Sequence, residues 1–166
     1  MSSIFEAAAN GDIGSMNEFM DDENFDFDAK DENGQTAIHH AARTGEAAAG
    51  GMLVECGANP DIADNDGNTP LMIAAINNKR LVASMLLWGN CNRMLKNNKG
   101  NTALHEAAIA SSHDVAWLIV ENGGEETVLE KNPDGKTPLD LARLTDNQEL
   151  IEILEKSHEE MSKLQQ

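Results

Sequence analysis

Tyrosine is absent from this chain, and aromatic residues make up only 4% of its 166 positions. Such a core must be filled by aliphatic and small side chains. No apolar run approaches the roughly 18 uncharged residues of a membrane-spanning helix. The first residues, MSSIFEAAANGD, carry an acid at Glu6 and no basic run, so we expect neither a membrane span nor a secretory signal. Basic residues are also scarce, 12 Lys and Arg against 29 Asp and Glu, for a net charge of −17. Nucleic-acid binding needs clustered Lys and Arg to neutralise phosphates, so that class is excluded. Only two cysteines occur, Cys56 and Cys91.

What the chain has in abundance is repetition. The line Asp64–Ala75, DNDGNTPLMIAA, recurs as Asp31–Ala42, DENGQTAIHHAA, as Asn97–Ala108, NNKGNTALHEAA, and more loosely as Asn132–Arg143, NPDGKTPLDLAR. Gly34, Gly67 and Gly100 are spaced 33 residues apart, and Gly135 follows after 35. A fixed period near thirty residues marks stacked supersecondary units.

The physics of one copy predicts its structure. Asn65-Asp66-Gly67 is turn chemistry, with Gly supplying a positive φ. Thr69 is a favoured N-cap, and Pro70 fits the first helical position, where its missing N–H costs nothing. Leu71, Ala74 and Ala75 then share one helix face. Leu81, Val82, Met85 and Leu86 form a second apolar-periodic run, read as an antiparallel partner helix. One such hairpin cannot bury its own apolar face, so neighbouring copies must stack. The T-P-L-x-x-A-A line and its period resemble the ankyrin repeat over nearly the whole chain. The resemblance implies an all-α solenoid of stacked helix-turn-helix units with short β-turn fingers.

Along the chain, residues 1–30 read as an N-terminal cap unit. Ala7-Ala8-x-x-Gly11 matches Ala41-Ala42-x-x-Gly45, but the turn-and-cap line is missing, and Phe25 or Phe27 is expected to plug the edge of the core. Repeats follow at 31–63, 64–96 and 97–131, with a C-terminal cap repeat at 132–156 and a frayed tail at 157–166. The second helix of the first full copy contains Gly50-Gly51, so it should be either the most closely packed element or the weakest. Arg93, Lys96 and Lys99 form a basic cluster around a loop or contact. Trp117 stands at a normally outward position, either covering a neighbour or serving as a binding hot spot. Cys56 and Cys91 fall in different copies, so we expect free thiols and an intracellular, cytoplasmic or nuclear protein.

Several chemical motifs dissolve on inspection. Gly135-Lys136-Thr137 mimics the end of a phosphate loop, but Glu130 stands where the earlier Gly is required. Asn24, Asp26 and Asp28 imitate a calcium loop, yet its sixth position is Ala29 and its twelfth Gln35. Ser112-His113-Asp114 are contiguous, whereas a triad converges from separate places. His39 and His105 each follow a Thr by three residues and should hydrogen-bond across the turn. No catalytic residue, metal site or cofactor is expected.

What remains is a surface. The resemblance implies that finger tips and first helices line a concave face that binds another protein or peptide. Carried over by position, the candidate partner-binding residues are Arg43, Asn65, Asp66, Asn68, Ile73, Ile76, Asn77, Asn98, Lys99, Asn101, Glu106 and Ile109. Ile73, Ile76 and Ile109 are apolar where water is expected, as in a partner patch. Acids outnumber bases ten to one in residues 1–34 and twelve to five in 121–166, but only seven to six between them. The acidic ends either solubilise the caps or steer a basic partner. A monomeric, non-enzymatic interaction module is the expectation. The alternative is an acidic chaperone or mimic that sequesters basic proteins by charge.

Overall fold

The computed structural model describes residues 3–164, which among them form ten α-helices and no strand. The helices come in pairs. Each pair has a short first member: α1 (Ile4–Asn10), α3 (Ala37–Thr44), α5 (Pro70–Ile76), α7 (Ala103–Ile109) and α9 (Pro138–Ala142). Each is followed by a second: α2 (Ile13–Met20), α4 (Ala47–Glu55), α6 (Arg80–Trp88), α8 (His113–Ile119) and α10 (Gln148–Leu164). First helices pack on first helices from α1 to α9, and second helices on second helices from α4 to α10. Two helical layers therefore share one core. Its floor is mostly alanine, including Ala41, Ala42, Ala74, Ala75, Ala107 and Ala108, with Leu53, Leu71, Leu86, Leu104 and Ile119 filling between. Alanine lets the backbones approach, which explains how 4% aromatic content suffices.

The caps form as the sequence dictates. The hydroxyls of Thr69, Thr102 and Thr137 accept from the backbone N–H three residues on, at 3.4, 3.5 and 3.2 Å. That satisfies donors the helix itself cannot pair. In the cap unit, Ser3 and Glu6 form a reciprocal capping box. The first unit therefore does carry a cap, written as the S-x-x-E signature rather than as the repeat line. Phe25 and Phe27 both pack on the core edge, the Phe25 ring lying 5.2 Å from that of Phe19 and 5.0 Å from that of Phe27.

Gly50 lies buried against α6, where an added Cβ would stand 2.6 Å from Met85 Cε. Close packing is thus the role of this glycine. Both cysteines are free, Cys56 exposed and Cys91 buried. The tail expected to fray from residue 157 instead continues α10 to Leu164. Leu150, Leu154 and Ser157 keep a buried face along it, and Ser157 Oγ donates to the Ile153 carbonyl at 2.9 Å. Gln165 and Gln166, also assigned to the tail, lie outside the described residues.

Candidate protein-binding surface

Each finger is built on one acceptor. Asp31 Oδ1 takes the backbone N–H groups of Asn33 and Gln35, at 2.8 and 2.9 Å. Asp64, Asn97 and Asn132 repeat this with residues two and four further on. The glycines at Gly34, Gly67, Gly100 and Gly135 hold φ between 72° and 78°, which only Gly adopts without strain.

The fingers are then stitched to one another. Asn65 N–H donates to the Asn33 carbonyl and Asn98 N–H to the Asp66 carbonyl, both at 3.0 Å. The side-chain amides of Asn65 and Asn98 donate to the carbonyls of Glu32 and Asn65, at 3.1 and 3.0 Å. These two asparagines are exposed, yet their polar groups already serve the stack. Asn68 accepts from Asn97 Nδ2 at 2.9 Å, so it too is part of the framework. Asp66 and Lys99 remain exposed finger-tip charges.

The histidines span the same seam. His39 Nδ1 accepts the Thr36 backbone N–H at 3.1 Å, so the ring proton sits on Nε2, which donates to the Asn68 carbonyl of the next finger at 2.9 Å. His105 repeats this from Thr102 to the Lys136 carbonyl, at 3.3 and 3.1 Å. The bond within the turn was expected; the bond to the next unit was not, because it joins residues 29 to 31 positions apart. Burial holds both imidazoles below the usual histidine pKa of 6.5. Burial likewise pushes the Cys91 thiol up to about 12.

One turn along the first helices, the structure sorts the proposed apolar face. Ile73 is only 7% exposed and belongs to the core, which corrects its assignment to a wet surface. Its positional equivalents show why. His40 Nε2 lies 2.9 Å from Asp31 Oδ2 at the finger base, and Glu106 Oε1 accepts from Asn97 and Asn101 at 2.8 and 2.9 Å. The finger therefore roofs this position in successive units. Glu106 and Asn101 are buried for the same reason, at 6% and 4% exposure, and leave the candidate surface with Ile73.

Three residues later, at the end of each first helix or just past it, the chain clears the finger. That position holds Arg43, Ile76, Ile109 and Leu144, all exposed, with Ile76 at 40% and Ile109 at 50%. Leu144 is more exposed still. The Arg43 guanidinium donates to Gln35. Asn77, beside Ile76, spends its amide on the Ile73 carbonyl at 2.8 Å. The result is a row of one cation and three aliphatic side chains, one per unit, beside the finger tips.

A family model for ankyrin repeats in three copies matches residues 4–94 and 80–163. The chain belongs to the ankyrin repeat family. The match begins inside the degenerate first unit, so this ankyrin domain includes the helix pair that lacks the repeat line. A search of curated proteins finds none that matches. Ankyrin repeats generally act as protein-interaction modules, and no helix among the described residues is long and apolar enough to cross a membrane.

Proposed function

We propose that this ankyrin domain binds another protein, without catalysis, through the concave face formed by its fingers and first helices. The row Ile76, Ile109 and Leu144 carries the reading, because three aliphatic side chains at one repeat position stay exposed while their neighbours one turn back are covered. An apolar row of this kind, rimmed by polar finger tips, is the anatomy of an interface. Asp66, Lys99 and Arg43 supply the rim. The acidic ends, with ten and twelve acids, add long-range attraction for a basic partner and raise its association rate.

The competing reading is sequestration of basic proteins by charge alone, and salt separates the two. At about 0.5 M the screening length is only a few Å, which suppresses long-range attraction. The experiment is affinity capture from source-cell lysate at low salt and at that concentration, followed by mass spectrometry. Wild type is compared with Ile76→Asp/Ile109→Asp, which changes exposed positions only and keeps its helical circular dichroism. A defined partner that persists in high salt and is lost in the variant supports the row. Many basic partners that vanish with salt and ignore the variant refute it.

A further inference from the structure

The solenoid breaks its own regularity at one place. Between Gly100 and Gly135 the period lengthens by two residues, and there α8 ends in a kink, with Asn122 and Gly123 outside helical φ/ψ, followed by a 3-10 turn, Glu125–Val128. The last helix, α10, is 17 residues long, against nine for α4 and α6 and seven for α8. It packs on both α8 and the 3-10 turn. Here the kink, the 3-10 turn and the long helix meet around Trp117.

Trp117 is 43% exposed. The same helix position in the other units holds Gly51, Ser84 and Glu152. Its indole is a ridge between two grooves of about 330 and 400 Å³ that share Ile153 as apolar floor. The first groove is edged by Glu121, Glu125 and Glu160 with Lys156, the second by Asp114, Glu149 and Glu152 with Arg80. Six carboxylates thus face two fixed cations. His113 Nε2 lies 3.9 and 3.6 Å from Asp114 and Glu149. Among the described residues, no ion pair involves the other four carboxylates.

We propose that these two grooves bind a basic peptide segment, with one Arg or Lys side chain stacked on Trp117 and its neighbours reaching the carboxylates on either side. Tryptophan is the best aromatic partner for a cation, and a guanidinium pairs with a carboxylate through two parallel hydrogen bonds. The carboxylates reward the charge, while Trp117 and Ile153 accept the aliphatic stem. The site lies on the second-helix layer and shares no residue with the Ile76–Ile109–Leu144 row, so each stands or falls separately.

The test uses Trp88→Phe, which replaces an exposed side chain and leaves Trp117 as the sole tryptophan. The probe is a tetra-arginine peptide blocked at both ends, with tetra-citrulline as its uncharged counterpart, and Trp117 emission is followed at low salt. Tetra-arginine should produce a saturable change and tetra-citrulline none. Glu121→Gln/Glu149→Gln/Glu152→Gln should weaken binding about tenfold or more, as expected when three charge contacts are lost together. Asp21→Asn/Asp22→Asn/Glu23→Gln, which removes the same charge at the other end of the chain, should change it less than about threefold, consistent with screening beyond a Debye length. Ile76→Asp/Ile109→Asp should not weaken it. The proposal is overturned by a response that does not saturate, by equal binding of tetra-citrulline, or by equal weakening from the two charge-removing triples.

Discussion

Helix α4 offers a test of packing in which two adjacent glycines should behave differently. Glycine inside a helix costs about 1 kcal/mol relative to alanine, and neither Gly50 nor Gly51 has the positive φ that would bar a side chain. At Gly51 a new Cβ meets only Met85 Cγ, at the ordinary distance of 3.8 Å. Gly51→Ala should therefore gain nearly the full propensity, about 1 kcal/mol, or roughly 2–4 °C in midpoint for a chain of this size. At Gly50 the Cβ would stand 2.6 Å from Met85 Cε. Met85 is half-buried and that atom is the end of a flexible side chain, so the methyl can swing aside, at about 0.5–1.5 kcal/mol if it leaves its rotamer well. Gain and cost nearly cancel, and Gly50→Ala should lie within about 0.5 kcal/mol of wild type. In a Met85→Leu background, which lacks the offending atom, Gly50→Ala should become stabilising by about 1 kcal/mol. Urea unfolding followed by circular dichroism measures all of these as a mutant cycle. Equal effects of the two alanines, or destabilisation by Gly51→Ala of more than 1 kcal/mol, would refute the packing account.

The buried histidines make stability depend on pH. Their folded pKa lies below 6.5, so the unfolded chain binds more protons in that window, and stability present above pH 6.5 should fall as pH drops below it. Thermal melts from pH 8 to 5 should show the loss, and His39→Gln/His105→Gln should flatten the slope. Removing the roofed carboxylate by Glu106→Ala leaves the buried Asn101 amide without its acceptor, which should cost about 1–3 kcal/mol by urea denaturation. A mild thiol reagent at pH 8 should label exposed Cys56 at once and Cys91 only on unfolding. Prompt labelling of both would show that the core around Cys91 opens.

Much of this fold was legible because its determinants are local. The Thr cap, the Pro at the first helical position, the turn glycine and the alanine face all lie within twelve residues of Asp64–Ala75. The site was less legible because exposure at a first-helix position depends on what a finger covers. Ile73 and Ile76 are chemically identical and one turn apart, yet the finger base covers one and leaves the other open. The clue was present in the copies: His40 and Glu106 occupy the position of Ile73, and a position that accommodates an imidazole, an isoleucine and a carboxylate is set by its polar roof. The continuation of α10 past residue 157 was missed because its buried face there contains Ser157, a small polar residue that satisfies itself on the Ile153 carbonyl.

The asparagine ladder bears on where specificity can reside. A side-chain amide that already donates to the preceding finger, as in Asn65 and Asn98, must give up that bond before it can donate elsewhere. Replacing a satisfied hydrogen bond with another yields little net free energy. Finger residues that obey the repeat are thereby committed to stacking, whatever their exposure. Discrimination between partners must then come from positions where the units differ and the backbone needs nothing. Two such positions stand out, the row of Arg43, Ile76 and Ile109 on the first helices with Leu144 just past the end of α9, and the set Gly51, Ser84, Trp117 and Glu152 on the second helices. The first changes from a cation to aliphatic side chains and the second differs in every unit, so a partner laid along the solenoid meets a sequence of side chains rather than a repeating one. The period builds the scaffold, and the departures from it write the binding code.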